Sequence, residues 1–296
     1  MALVNSPARR VFKRLAGQNN HFLITILVGL DAVEAGLAEP AEEFSTTWAP
    51  KDPVASARRS REFATKACLA WTIDSLSAYL KNIIAAPAVV GTEAIEQIRN
   101  ADGLEKRLDA LLSAAQPSLQ ASEGELAKAA IVWRNRIVHY GASNKISSTV
   151  RSNLNANAPK IKDLYQGLDV GRMIAHVDKA GAPTFKEIAS LVRATQNLVR
   201  AIDGALVGIV DLESYLRQAL VLYLNENPGG RSANIWGRSE SRRLGTIVQI
   251  ACNAGLSQFE PTSAPTNHIS WEYLRELAKW SPKEALAELL PAGNVS

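Results

Sequence analysis

Six consecutive residues carry the clearest chemistry in this 296-residue chain: Arg134-Asn135-Arg136-Ile137-Val138-His139. Arginine is permanently charged and fork-shaped, an amide both donates and accepts, and an imidazole exchanges a proton near neutral pH. Gathered at the end of one helix, these types suit a single phosphate group. On a helical wheel Arg134 falls at about 80° from the main apolar stripe, with Asn135 near 180° and His139 near 220°. Periodicity alone therefore sets Arg134 and His139 about 140° apart on one helix. Arg134 also lies in an arc with Ile131 and Val138, where an unpaired charge is costly. The same residues would satisfy an ordinary last turn, in which cations favour the carbonyl end of the helix. Spacing does not decide between the two.

The other candidates are weaker. Asp74 shares a face of its helix with Phe63, Ala67 and Ala70, where it either holds the Arg134 fork or is simply exposed. Arg136 projects beyond the motif, either to an RNA phosphate or into solvent. Arg231, Arg238, Arg242 and Arg243 cluster near Trp236. They form either a phosphate-tracking face with a stacking indole or a solvated face with one anchoring tryptophan. Arg172 and His176 form a second, shorter pair. His21 reads as a capping or core histidine, and His268 as loop chemistry. Trp271 and Trp280 read as core residues. Pro228-Gly229-Gly230 lacks the Lys and Ser/Thr of a phosphate loop and reads as a turn. Four scattered histidines and two cysteines, Cys68 and Cys252, offer neither a metal site nor a disulfide framework.

The elements that must position these residues are helical almost throughout, with no alternating β-branched runs. Helices are expected over 8–35, 56–86, 92–100 and 104–115, with 40–53 a loop. The central helix opens at a capping box of Ser122 and Glu125 and stops at Gly141. Leu126, Ala130, Trp133, Ile137 and Tyr140 form its core stripe. A loop at 153–159 precedes a broken helical stretch, 161–179, with Gly167 and Gly171. A second capping box, Thr184 with Glu187, opens a helical run to about residue 225 that contains Gly204 and Gly208. The run Asn225-Glu226-Asn227-Pro228-Gly229-Gly230 marks a boundary. It divides a helical domain, 1–226, from a small helical extension, 227–296, with helices at 240–254, 270–280 and 282–290.

Arg134, Asn135 and His139, spaced R-N-x-x-x-H late in a helix of an all-α chain, resemble the signature of the HEPN superfamily. The flanking run Trp133 to Gly141 is similar to that local pattern. The resemblance implies a HEPN-like helical bundle and a metal-independent endoribonuclease that needs no cofactor. It also implies RNA as substrate and a homodimer whose two motifs face each other in one composite site. The settings it implies are a toxin module, abortive infection or phage defence, with an antitoxin or activating partner. In one subgroup the histidine is followed by any residue and then a modified tyrosine. Here Tyr140 follows His139 directly, which departs from that pattern.

Composition is that of a globular protein: 47% apolar and 21% charged residues, with a formal charge of +4. The charge divides evenly about residue 150, which permits contact with nucleic acid without requiring it. The apolar run 22–30 is too short to span a bilayer, and Asp31 and Glu34 stand where a signal peptide would be cleaved. It reads as a buried helix in a cytoplasmic chain with no membrane partner. Two alternatives to the nuclease stand: a non-catalytic HEPN module binding RNA or a nucleotide, and a helical adaptor whose Arg134 pairs with a core carboxylate.

Overall fold

The computed structural model describes residues 1–38, 43, 50–120, 122–139, 141–258 and 267–290. The architecture is all-α. A short strand β1 (Ala2–Leu3) leads into helices α1 (Pro7–Ala16), α2 (Asn19–Glu34), α3 (Pro53–Ile83), α4 (Thr92–Asn100) and α5 (Gly103–Ala115). Helices α6 (Glu123–Val138), α7 (Ser148–Ala156), α8 (Ala158–Leu164), α9 (Val170–Asp178), α10 (Phe185–Ile209) and α11 (Leu212–Asn225) follow. The chain continues through α12 (Pro228–Trp236), α13 (Glu240–Asn253), strand β2 (Leu256–Ser257), α14 (Trp271–Lys279) and α15 (Pro282–Leu289). Strands β1 and β2 pair antiparallel, with Ala2 opposite Ser257. Among the described residues no helix is long and apolar enough to cross a membrane.

Three long helices, α3, α6 and α10, pack on one another and carry the centre of the core. Each contributes a stripe at helical spacing. Leu69, Ile73, Leu76, Leu80 and Ile83 come from α3, and Leu126, Ala130 and Trp133 from α6. Ile188, Leu191, Leu198, Ile202 and Leu206 come from α10. Burying each large aliphatic side chain contributes about 1.5–3 kcal/mol before the entropy of ordering it is subtracted. The helices after Asn227 share this continuous core rather than standing apart. Trp236 is fully buried, and its indole donates to the Leu277 carbonyl at 2.8 Å. The Met1 ammonium donates to the Ile269 carbonyl at 2.5 Å, which ties it to the segment just before α14. Nearby, Ser6 donates from its amide and its hydroxyl to the buried Asp203 of α10. Burial pushes the Asp203 carboxyl above its usual range, against the two Ser6 hydrogen bonds that pull it down.

Several expectations change on contact with the fold. The first helix breaks at Gly17 and Gln18, so that α1 and α2 both reach α3. The Ser122–Glu125 capping box does not form. Ser122 has φ 48°, and its side chain makes no cap hydrogen bond. Glu125 accepts instead from Asn153 at 3.5 Å, while Glu123 turns inward to Tyr165. That burial lifts the Tyr165 phenol to about 12. The stretch 153–159 is not a loop, because α7 and α8 occupy it apart from Asn157. The long run after Thr184 breaks at Val210–Asp211 rather than at either glycine, because Asp211 caps α11 through the Glu213 and Ser214 amides. The Asn227 boundary is a helix start: its side chain accepts from Gly230 N–H at 3.1 Å. The expected Thr184–Glu187 box and the left-handed Gly141 (φ 78°) are both present. Tyr140 and most of the 40–53 loop lie outside the described residues.

The apolar run 22–30 is helical but not buried throughout. Asn19, Leu23 and Leu27 of α2 face inward, while Phe22, Ile24, Ile26 and Val28 remain about half-exposed. His21 is exposed beside them rather than capping or buried. An all-round apolar helix normally has protein on every side. Here α2 and α3 instead flank an open groove of about 600 Å³, floored by Leu23, Ala64 and Cys68.

Candidate active site

Helix α6 runs at full regularity through Val138 and then ends. His139 is its C-cap, with extended backbone (φ −102°, ψ 111°) and an amide that still donates to the Asn135 carbonyl at 3.0 Å. Gly141 follows at positive φ, a conformation that a side chain would strain. Leaving the helix at this point takes His139 off the wheel, and its ring comes back towards Arg134.

The result is one cluster within a single chain. Arg134 Nη1 donates to Asn135 Oδ1 at 3.2 Å and meets His139 Nε2 at 3.0 Å. Arg134 Nη2 donates to Asp74 Oδ1 at 2.6 Å across the α3–α6 contact. The 140° separation that periodicity assigns to Arg134 and His139 therefore does not hold, because His139 is no longer helical and the arginine side chain is long. Guanidinium nitrogens only donate, so His139 Nε2 must accept here. Nδ1, the other ring nitrogen, is left free of the fork. The Arg134 side chain is 21% exposed, Asp74 is 58% exposed, and His139 is exposed. The cluster lies at the surface, reached from solvent at Asp74 and His139.

Arg136 is held by backbone carbonyls. Its Nη1 donates to the Asn144 carbonyl and its Nη2 to the Asp178 carbonyl, each at 2.9 Å. The Asp178 carboxylate is held in turn by Arg151 at 2.8 Å. Arg136 thus ties the loop that follows His139 to the end of α9, and both its terminal nitrogens are engaged. On the same side of α6, the fully buried Trp133 donates to the Gly181 carbonyl at 2.8 Å. His176 contacts the buried Glu187 carboxylate at 2.9 Å, while Arg172 is exposed. The second Arg–His pair is therefore split between a packing role and solvent.

The basic cluster of the extension divides likewise. Arg243 donates to the carbonyls of Arg238, Ala278 and Trp280 and so clamps α14. Arg238 and Arg242 are exposed. Trp236 stacks on Trp280 in the core, which fits an anchoring tryptophan and removes it as a platform for a base. The residue that sequence reasoning underweighted is Asp74. Its place on one helical face with Phe63 and Ala67 was legible, but its pairing with Arg134 depends on how α3 crosses α6. Compared with known protein families, curated proteins and solved structures, the chain gives no match in any of the three.

Proposed function

We propose that this protein is a metal-independent endoribonuclease of HEPN type, cutting RNA with Arg134, Asn135 and His139. The observation that carries this proposal is the convergence of those three side chains, with Asp74, on an open surface at the end of α6. RNA cleavage without metal uses the ribose 2′-hydroxyl as nucleophile. It needs a proton acceptor, a proton donor for the leaving 5′-oxygen, and positive charge on the phosphorane. Arg134 supplies the charge, aimed and held before substrate arrives. Asn135 orients the fork, and His139 handles a proton, a contribution typically worth about 10² to 10⁴ in rate. Arg238 and Arg242 remain open to an RNA backbone. The adaptor alternative needs a core carboxylate for Arg134, whereas Asp74 is 58% exposed.

The test is cleavage of mixed cellular RNA in EDTA by wild-type and His139→Ala protein, with folding followed by circular dichroism. Cleavage by the wild type alone, leaving 2′,3′-cyclic phosphate ends, is the expected result. No cleavage by either, with RNA retained on the folded protein, would favour a binding module. Equal cleavage by both would remove His139 from the site.

The homodimer with a composite site is part of the same proposal, and the uncovered groove supports it. Phe63 (74% exposed), Ala67 and Trp71 (55% exposed) lie along the face of α3 that ends at Asp74. Phe63 and Asp74 are about 16 Å apart along the helix. Apolar patches of this kind mark contact surfaces. This face reaches the Arg134–His139 group through Asp74, so a second copy laid on it would adjoin the site. Such a protein runs as a dimer in light scattering at micromolar concentration, and Phe63→Asp converts it to a monomer without loss of helicity. An unchanged dimer in that variant would place the interface elsewhere. The resemblance extends the proposal to a toxin or phage-defence setting, with an antitoxin or trigger as partner.

A further inference from the structure

We propose that Asp74 is the general base of RNA cleavage and His139 the general acid, with the Arg134 fork between them on the scissile phosphate. This rests on the ribonuclease proposal and adds to it a residue outside the motif.

Two terminal nitrogens of one planar guanidinium hold the two groups. Nη2 meets Asp74 Oδ1 at 2.6 Å, and Nη1 meets His139 Nε2 at 3.0 Å. Attack by the 2′-oxygen and departure of the 5′-oxygen occur on opposite sides of phosphorus. The proton acceptor and donor must therefore flank the phosphate, as a carboxylate and an imidazole on either side of its arginine would. Among the described residues, these are the titratable side chains hydrogen-bonded to Arg134. The assignment follows from what each can do. A carboxylate paired with a guanidinium has no proton to give and can only accept. His139, with Nε2 facing the fork, cannot accept there until Arg134 moves. When a phosphate takes the Nη1 donor, the imidazole is released from the fork beside that phosphate, on the side away from Asp74. Asp74, at 58% exposure, is open to the ribose.

The step balances. Asp74 takes the 2′-hydroxyl proton as the bond from O2′ to phosphorus forms. The bond from phosphorus to O5′ breaks, and O5′ takes the proton of the His139 imidazolium. The products are a 2′,3′-cyclic phosphate, a 5′-hydroxyl, neutral imidazole and protonated Asp74. Exchange with solvent restores both side chains.

The experiment uses the full-length protein and two oligoribonucleotides, one natural and one with a single sulfur in place of the scissile 5′-oxygen. Sulfur leaves without protonation, so the second substrate needs the base but not the acid. Asp74→Asn keeps an oxygen for Arg134 Nη2, so a merely positioning role would survive it. The expected result is a fall of about 10² or more for Asp74→Asn on both substrates. His139→Ala falls similarly on the natural substrate but recovers to within about tenfold of wild type on the sulfur one, since the acid's contribution is no longer required. Wild-type rates for Asp74→Asn would overturn the proposal. So would rescue of Asp74→Asn, rather than His139→Ala, by sulfur, which would reverse the roles. Absence of cleavage by the wild type would instead overturn the ribonuclease assignment beneath it.

Discussion

Arg134→Lys is expected to lower single-turnover cleavage at saturating RNA by about 10² to 10³, the scale of losing a preorganised donor to a developing oxyanion. Lysine keeps the charge, so a merely electrostatic attraction for RNA would survive. What it loses is the fork. One ammonium cannot reproduce the planar, two-ended geometry that now reaches Asp74 from Nη2 and both Asn135 and His139 from Nη1. The loss should fall on kcat more than on KM, because the missing donor acts on the transition state. Stability should move little, since lysine keeps a positive charge beside the 58%-exposed Asp74 carboxylate. A lysine variant within threefold of wild type would mean that Arg134 serves only as a point charge.

Trp133→Ala should cost about 3–5 kcal/mol of folding free energy, the range for truncating a fully buried aromatic. Trp133 is fully buried in the α6 stripe, and its indole N–H satisfies the Gly181 carbonyl at 2.8 Å in the turn after α9. Trp133→Phe keeps most of the apolar volume but leaves that carbonyl without its donor, for about 1–3 kcal/mol. Urea denaturation monitored at 222 nm separates the two. Because Trp133 precedes Arg134 and anchors the same end of α6, both variants should lose cleavage at lower temperature than wild type. Equal stability of the alanine variant and the wild type would show that α6 is held by its other contacts alone.

Much of the fold was legible because helix signals are local. The stripe from Leu69 to Ile83, the Thr184–Glu187 box and the bounds of α4 all follow from residues within a few turns of one another. Ser122 shows the limit. Its spacing to Glu125 is right for a box, yet Glu123 is drawn to Tyr165, 42 residues on, and Ser122 adopts a left-handed backbone. Likewise, α2 reads as buried because it is apolar on every side. Which faces are covered depends on neighbours that one helix's sequence does not describe.

The candidate site divides along the same line. The sequence by itself determined the residue types, Arg134, Asn135 and His139 at the end of one helix, and the Gly141 that stops it. Helix termini and side-chain chemistry are encoded within a few residues. Tertiary structure alone decided that Arg134 meets His139 and that Asp74 joins them. Helical periodicity applies only as far as Val138. Beyond it, the extended backbone at His139, with the following loop clamped by Arg136 to α9, sets where the imidazole goes. Asp74 arrives from 60 residues away because α3 packs across α6, a matter of side-chain fit between distant surfaces.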